Sequence, residues 1–362
     1  RTDNLRRVIN DRYVIRGPIV DRNNNPIAVT NGSVGKYTRN LIQPSLSSTI
    51  GYINPIYGLG GLEASMDPYL RGLQGLPSST IWINQILYNQ PPQGRSIRTS
   101  LDLNIQENLA NTLQDNQGAA VVLNAQTGEI LALWTSPTFN ANFLPDQYDQ
   151  WAQDSHAPLL NRVTQGQYPL DSGVVPFLLA YQAANDGTNT TYPGLNICLA
   201  DNHSSIDSQL CQAALNDILS DFPQEEIPEL IHQLLWDQPA EIVLPIAPAV
   251  NLPTNINADY LKNDLMVSPL QMAVSASAFS RSGLAPVPRI ANAVNTPNLG
   301  WVAFASQQPQ QILNSTAANR IGALFNRQDS PVWDFATQTG EGNNRTQWYL
   351  SGTQVEWPGT PF

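Results

Sequence analysis

Ser172 is the residue of this sequence best placed to do chemistry. It lies in the stretch NRVTQGQYPLDSGVVPFLLA, residues 161–180. Tyr168-Pro169 turns the chain ahead of it, and an apolar run (Val174, Val175, Phe177 to Ala180) begins just after it. A serine at the mouth of a buried apolar helix is held rigidly over a pocket, which suits a nucleophile. Its hydroxyl stays a weak nucleophile until a base accepts the proton, help worth roughly 10²–10⁴-fold in rate. The position one helical turn later, on the same helix face, is Val175, which cannot accept a proton. The chain holds two lysines, Lys36 and Lys262. Its three histidines, His156, His203 and His232, are scattered, and no CxxC or HxxxH spacing occurs, so neither a metal nor a cofactor is expected.

The stretch around Ser172 resembles, without a gap, the surroundings of the active serine in the penicillin-binding protein transpeptidases, which read roughly NR…YPPGS-T-F-K. In that family the lysine one turn after the serine takes its proton. Here Val175 stands at the lysine position. A second family cluster, Ser-x-Asn or Ser-x-Asp, relays protons to and from the leaving group, and its best candidate is Ser205-Ile206-Asp207. The third, Lys-Thr-Gly on a strand of the cleft wall, binds the substrate carboxylate. Its counterpart is Gln338-Thr339-Gly340, followed by Glu341 and, further on, by Trp348-Tyr349 where the family has W(F/Y). Gln338 replaces the lysine, and Glu341 would repel a carboxylate. Lys36 and Lys262 fall in no catalytic motif, and Lys262 is expected to pack away from the nucleophile. The resemblance therefore implies vestigial positions at Ser172, Val175, Ser205, Asp207, Gln338, Thr339 and Gly340, with no catalytic residue among them. Ser172 would serve as a helix N-cap, with Asp171 favouring the helix N-terminus and Pro176 tolerated in the first turn.

The elements that must position these residues follow from the rest of the chain. Residues up to about Arg95 are rich in Gly, Pro and Asn, and Asn23-Asn-Asn-Pro26 reads as a turn. Arg16-Gly17…Asp21-Arg22 and Gly51-Tyr52…Gly61-Leu62-Glu63…Leu70-Arg71-Gly72 resemble the opening motifs of the class B penicillin-binding proteins, in the same order and spacing. In that family this region is a non-catalytic pedestal. From Arg98 the texture changes. A helix is predicted to about Leu113, then a hairpin of two strands, Gly118–Asn124 and Glu129–Trp134, turning at Gln126-Thr127-Gly128. A further helix is predicted from about Glu226 to Asp237, and Ser268-Pro-Leu-Gln-Met-Ala273, which resembles the family's SPLQMA, opens another. The implied fold is α+β: a transpeptidase-like (serine β-lactamase-like) domain over 96–362 with an N-terminal β-rich pedestal over 1–95. The family continues past W(F/Y) with another strand and a long C-terminal helix. This sequence reaches Phe362 soon after Trp357-Pro-Gly-Thr-Pro, so either it is truncated or the native sheet has an uncovered face or edge, and the expectation is that another chain completes the sheet.

Bulk properties narrow the function. Of the 362 residues, 41% are hydrophobic, enough for a core on both sides of the boundary, and 13% are charged, with a formal net charge of −11. That balance excludes a nucleic-acid partner and offers no basic patch for anionic lipid. No run of about 18 apolar residues is present, and the chain starts with polar Arg1-Thr-Asp, so neither a transmembrane helix nor a signal peptide is expected within it. Asn, Gln, Ser and Thr in place of surface charge suit an extracytoplasmic protein (periplasmic, cell-surface or secreted). In that setting Cys198 and Cys211 form a candidate disulfide. Two buried thiols are the alternative. The favoured reading is a catalytically inactive homologue, a structural or interaction component of the cell envelope or an extracellular assembly, with a protein partner or a second copy bound through the transpeptidase-like domain. The alternatives are an atypical D,D-transpeptidase or serine acyl-transfer hydrolase using Ser172, and a module that binds peptidoglycan peptides.

Overall fold

The computed structural model describes residues 13–74, 92–114, 116–185, 195, 209–249, 252–253, 256–326, 330–339 and 346–362. The chain enters through β1 (Ile19–Val20), both of whose side chains are buried. Asp21 builds the turn that follows: its Oδ1 accepts from the backbone N–H groups of Asn23 and Asn25, and Asn24 takes the left-handed conformation that asparagine tolerates (φ 69°). β2 (Pro26–Asn31) and β3 (Thr38–Leu41) continue as an antiparallel meander. Two helical turns over 61–65 and 67–70 then carry Glu63 into the interior. There Arg16 Nε donates to Glu63 Oε2 at 2.7 Å and Arg39 Nε to Glu63 Oε1 at 2.6 Å, while Arg16 also reaches Asp67. Burial alone would raise the Glu63 carboxyl, but Arg39 and Arg16 outweigh it and hold the group below the usual carboxylate range.

After β4 (Ile97–Thr99), Asp102 caps α1 (Leu103–Leu113) by accepting from Asn104 N. The buried Gln106 of α1 then bonds both backbone groups of Leu133, at 2.7 and 2.9 Å, and so fixes the helix on the next hairpin. That hairpin is β5 (Gly118–Leu123) and β6 (Ile130–Ser136). Gly128 is required in its turn: φ is +72°, and a Cβ there would lie 2.0 Å from Val287 O. α2 (Leu144–Gln153), the two-residue β7 (Tyr168–Pro169) and α3 (Val175–Asn185) lead to α4 (Gln209–Asp221) and α5 (Ile227–Gln233). The helix expected to reach Asp237 is shorter, because Leu235 turns left-handed (φ 62°). β8 (Met266–Val267) precedes α6 (Pro269–Ala276), whose N-terminus closes with a reciprocal Ser268–Gln271 capping box. β9 (Leu284–Ala285), β10 (Ala291–Thr296), β11 (Gly300–Ala303), β12 (Gln310–Gln311), α7 (Ser315–Leu324), β13 (Val332–Thr339) and β14 (Thr346–Thr353) complete the order.

A six-stranded sheet runs β11-β10-β4-β1-β2-β3, in which β1 pairs parallel with β4 (Ile19↔Ile97). The expected division between residues 95 and 96 therefore falls within one shared sheet. Side chains from both sides of it, Ile19 and Ile27 as well as Phe177 and Leu270, also belong to one buried apolar cluster. The change of texture near Arg95 is a change from short, turn-bounded strands to longer elements and not a break in the core. Around α3 the core is aromatic. Phe177 meets Trp236 edge-to-face at 5.2 Å and Phe279 at 5.2 Å, and Phe279 meets Trp333 at 5.5 Å. Both buried indoles have partners: Trp236 Nε1 donates to Ser275 Oγ and Trp333 Nε1 to Ser280 Oγ. Among the described residues, no helix is long and apolar enough to cross a membrane.

Candidate active site at Ser172

Two short antiparallel strands hold the approach to Ser172. β7 pairs with β8 (Tyr168↔Val267, Pro169↔Met266), and Leu170 N donates to Leu265 O. The chain then reverses through Asp171, whose φ of +43° is left-handed, a region that Asp visits more readily than most residues. A 3₁₀ turn over Asp171–Val174 leads into α3, and Ser172 lies inside this turn. Ser172 is therefore not the helix N-cap that the sequence suggested, because the turn opens one residue before it at Asp171 and has no side-chain cap. The hydroxyl donates instead to Asp171 Oδ1 at 3.3 Å and is 1% exposed.

Val175 is fully buried. Opposite this turn runs the ladder β13–β14, with β13 packed against residues 171–174. Trp348 of β14 covers the turn. Its Nε1 donates to Pro169 O at 2.9 Å, its ring meets Tyr168 edge-on at 6.4 Å, and a Cβ on Gly173 would lie 3.5 Å from the indole. Gln338 sits across the ladder from Gln347, and its Oε1 accepts from Gln347 Nε2 at 2.8 Å. The amide is thus engaged on its own ladder. Thr337, beside it and buried, has an Oγ with no partner among the described residues. Thr339 ends β13. Gly340, Glu341, Ser205, Asp207 and Cys198 lie outside the described residues, as do the side chains of Thr339 and Cys211.

Lys262 is where the sequence did not put it. Residues Tyr260–Asp264 form a π-helical turn packed against the turn that holds Ser172. The Lys262 ammonium donates to Asn216 Oδ1 at 3.1 Å. Burial pushes the Asp171 carboxyl above the usual range, and the Lys262 charge partly offsets that. The site thus contains a cation after all, acting on the neighbour of the serine. Its position comes from a contact between distant segments, and no local motif announces it. Among the described residues no cluster of three or more His, Cys, Asp or Glu side chains could hold a metal.

No family model matches the chain. Peptidoglycan D,D-transpeptidase MrdA of Escherichia coli (strain K12) is 31% identical over 140 residues, 36% of this chain and 22% of that protein. The MrdA protein of Acinetobacter baumannii is 30% identical over 167 residues, 42% of this chain and 25% of that protein. The matches thus span about a quarter or less of these curated relatives. Among solved structures, penicillin-binding protein A from M. tuberculosis in its penicillin G acyl-enzyme complex superposes with a TM-score of 0.81 at 18% identity, covering 96% of this chain and 91% of that one. The D,D-transpeptidase domain of a peptidoglycan glycosyltransferase from Eggerthella lenta gives 0.77 at 18% identity, covering 97% and 92%. The fold is accordingly the α+β fold of penicillin-binding protein transpeptidase domains.

Proposed function

We propose that this chain, which belongs to the class B penicillin-binding protein family and has its transpeptidase fold, is a non-catalytic homologue acting outside the cytoplasm as a structural or interaction component. One observation carries the reading. Ser172 is buried, the position one turn later is the apolar and equally buried Val175, and the amide of Gln338, standing for the second family lysine, is bonded to Gln347. A serine without a base keeps its proton, and a cleft wall without a cation gives a substrate carboxylate little to bind.

The test is acylation. Incubation with a fluorescent penicillin, followed by intact-mass measurement, should leave the chain at its own mass. One drug adduct on Ser172, abolished by Ser172→Ala, would overturn this reading in favour of an atypical D,D-transpeptidase or serine acyl-transfer hydrolase. That second reading draws on Asp171: its carboxylate lies 3.3 Å from the hydroxyl and under the influence of Lys262, so it is the group that could take the proton. In that case Asp171→Asn should also abolish the adduct. Binding of a D-Ala-D-Ala peptide without an adduct would instead support a peptide-binding module.

The interaction surface we propose is the edge between the two ladders. β5–β6 and β13–β14 each have two strands, and α6 packs against both β5 and β14. Pro361 O accepts from Ala125 N, next to β5, while Phe362 O accepts from Thr353 N on β14. The carbonyls of Pro361 and Phe362 thus reach toward opposite ladders, as those of a strand lying between them would, and we propose that a partner docks alongside this seam. Sedimentation of the purified chain that stays monomeric at high concentration, with no binding of apolar dye, would count against such a partner surface.

A further inference from the structure

The far end of α3 borders a polar recess that the serine chemistry does not use. α3 runs about 16 Å from Val175 to Asn185, so this recess lies a helix length from Ser172. It is an open recess of about 500 Å³ between the end of α3, α5, the loop after α5 and β12. That volume falls in the usual range for small-ligand sites, roughly 300–1,000 Å³. Glu229, Gln233, Gln238 and Gln310 bring a carboxylate and three amides to it. None of these four side chains has a hydrogen bond to another described residue. Two other glutamines nearby behave differently. The Gln271 amide donates to Gln238 O, and the Gln311 amide to Ser282 O and Leu313 O, so the fold has claimed them.

His232 adds a directed group. Its Nδ1 lies 2.8 Å from Asp237 Oδ2, which fixes the ring and leaves Nε2 for another partner. Asp237 also holds the imidazole above its ordinary range. Leu235 and Ile312 supply apolar wall, with Leu235 kept in a left-handed conformation that a branched side chain seldom adopts and that costs on the order of 1 kcal/mol or more. Among the described residues no lysine or arginine lines the recess, which argues against phosphates and other polyanions. The lining is too polar for a lipid chain. Amides donate and accept at once, as do sugar hydroxyls, and the half-buried Tyr181 and Leu235 beside them offer apolar surface to the C–H face of a pyranose ring.

We propose that this recess binds a neutral, hydroxyl-rich ligand, a short oligosaccharide. The assignment is independent of whether Ser172 is reactive. The experiment is saturation-transfer NMR on the full chain with N,N′-diacetylchitobiose and, separately, maltotriose, followed by calorimetric titration. At least one probe should receive saturation. The Gln233→Ala/Gln310→Ala double variant should weaken its binding about tenfold, the loss of two hydrogen bonds of modest net strength. Ser172→Ala should leave binding unchanged, which separates this site from the acylation test. Circular dichroism and thermal melting establish that the variants are folded, and Gln310→Ala alone, on the exposed β12, serves if the double variant is not. Absence of saturation for both sugars at millimolar concentration would overturn the proposal. So would binding that the glutamine variants leave intact.

Discussion

Two polar clusters in this chain were treated in opposite ways. Around Glu63 the buried Arg16 and the partly buried Arg39 surround one carboxylate, and both of its oxygens are engaged. Around Ser172 the positions where the family resemblance puts lysines hold Val175 and Gln338, and the charges that act there among the described residues include Asp171 and Lys262. The first arrangement is structural: a buried charge persists only when paired, and removing one partner leaves another stranded. The second leaves almost nothing buried and charged, so it places few demands on the fold. Around the serine the packing is that of an ordinary core, with Trp348 against Gly173 and Val175 buried.

The sharpest way to break this contrast is to remove the carboxylate. Glu63→Ala should destabilise the chain by about 3–5 kcal/mol in chemical denaturation, because Arg16 and Arg39 are left buried without their shared partner. A loss below about 1 kcal/mol would mean that water or Asp67 replaces it. The same network should make the chain acid-sensitive. Glu63 is held below its unfolded value, so the unfolded chain takes the proton first. Its contribution is complete above about pH 4.3 and drains as the pH falls through the lower folded-state value. Melting temperature recorded from pH 6 downward should fall less steeply in Glu63→Gln than in the parent.

Next in size is the converse operation at the other cluster. Val175→Lys places an ammonium on a fully buried helix face and should cost about 2–4 kcal/mol. Penicillin labelling should remain absent, since Gln338 still offers no cation. Recovery of labelling by this single change would mean that the anion site survives. Ser172→Ala should shift stability by no more than about 1 kcal/mol, the net worth of one long hydrogen bond. The smallest effect belongs to Asp171. Burial raises its carboxyl, so the folded chain binds the proton more tightly than the unfolded one, and ionisation works against folding as the pH rises through that raised value. Asp171→Gly removes both this charge and the left-handed strain and should stabilise by a few tenths of a kcal/mol, more at pH 7 than at pH 4. Equal gains at both pH values would assign the effect to the backbone alone.

The elements legible in the sequence are those fixed by neighbours a few residues apart. α1 to Leu113, the β5–β6 hairpin and the helix opening at Ser268-Pro-Leu-Gln lie where they were expected, because the Asp102 cap, the turn at Gly128 and the Ser268–Gln271 box are all local devices. That Val175 and Gln338 are the residues at these two positions is equally legible, being a matter of residue identity. Local cues misled where long-range contacts take over. Ser172 looked like an N-cap because serine favours that position, yet the turn opens at Asp171 and the hydroxyl turns to that carboxylate. The boundary near Arg95 looked like a domain break, yet the pairing of Ile19 with Ile97 closes one sheet across it. Lys262 looked remote, yet a π-helical turn brings its charge to bear on Asp171. Residue types and short spacings set which helices and hairpins form and which side chains stand near the serine in sequence. Strand pairing and the packing of distant turns, which no local preference encodes, decided what surrounds the serine that remains.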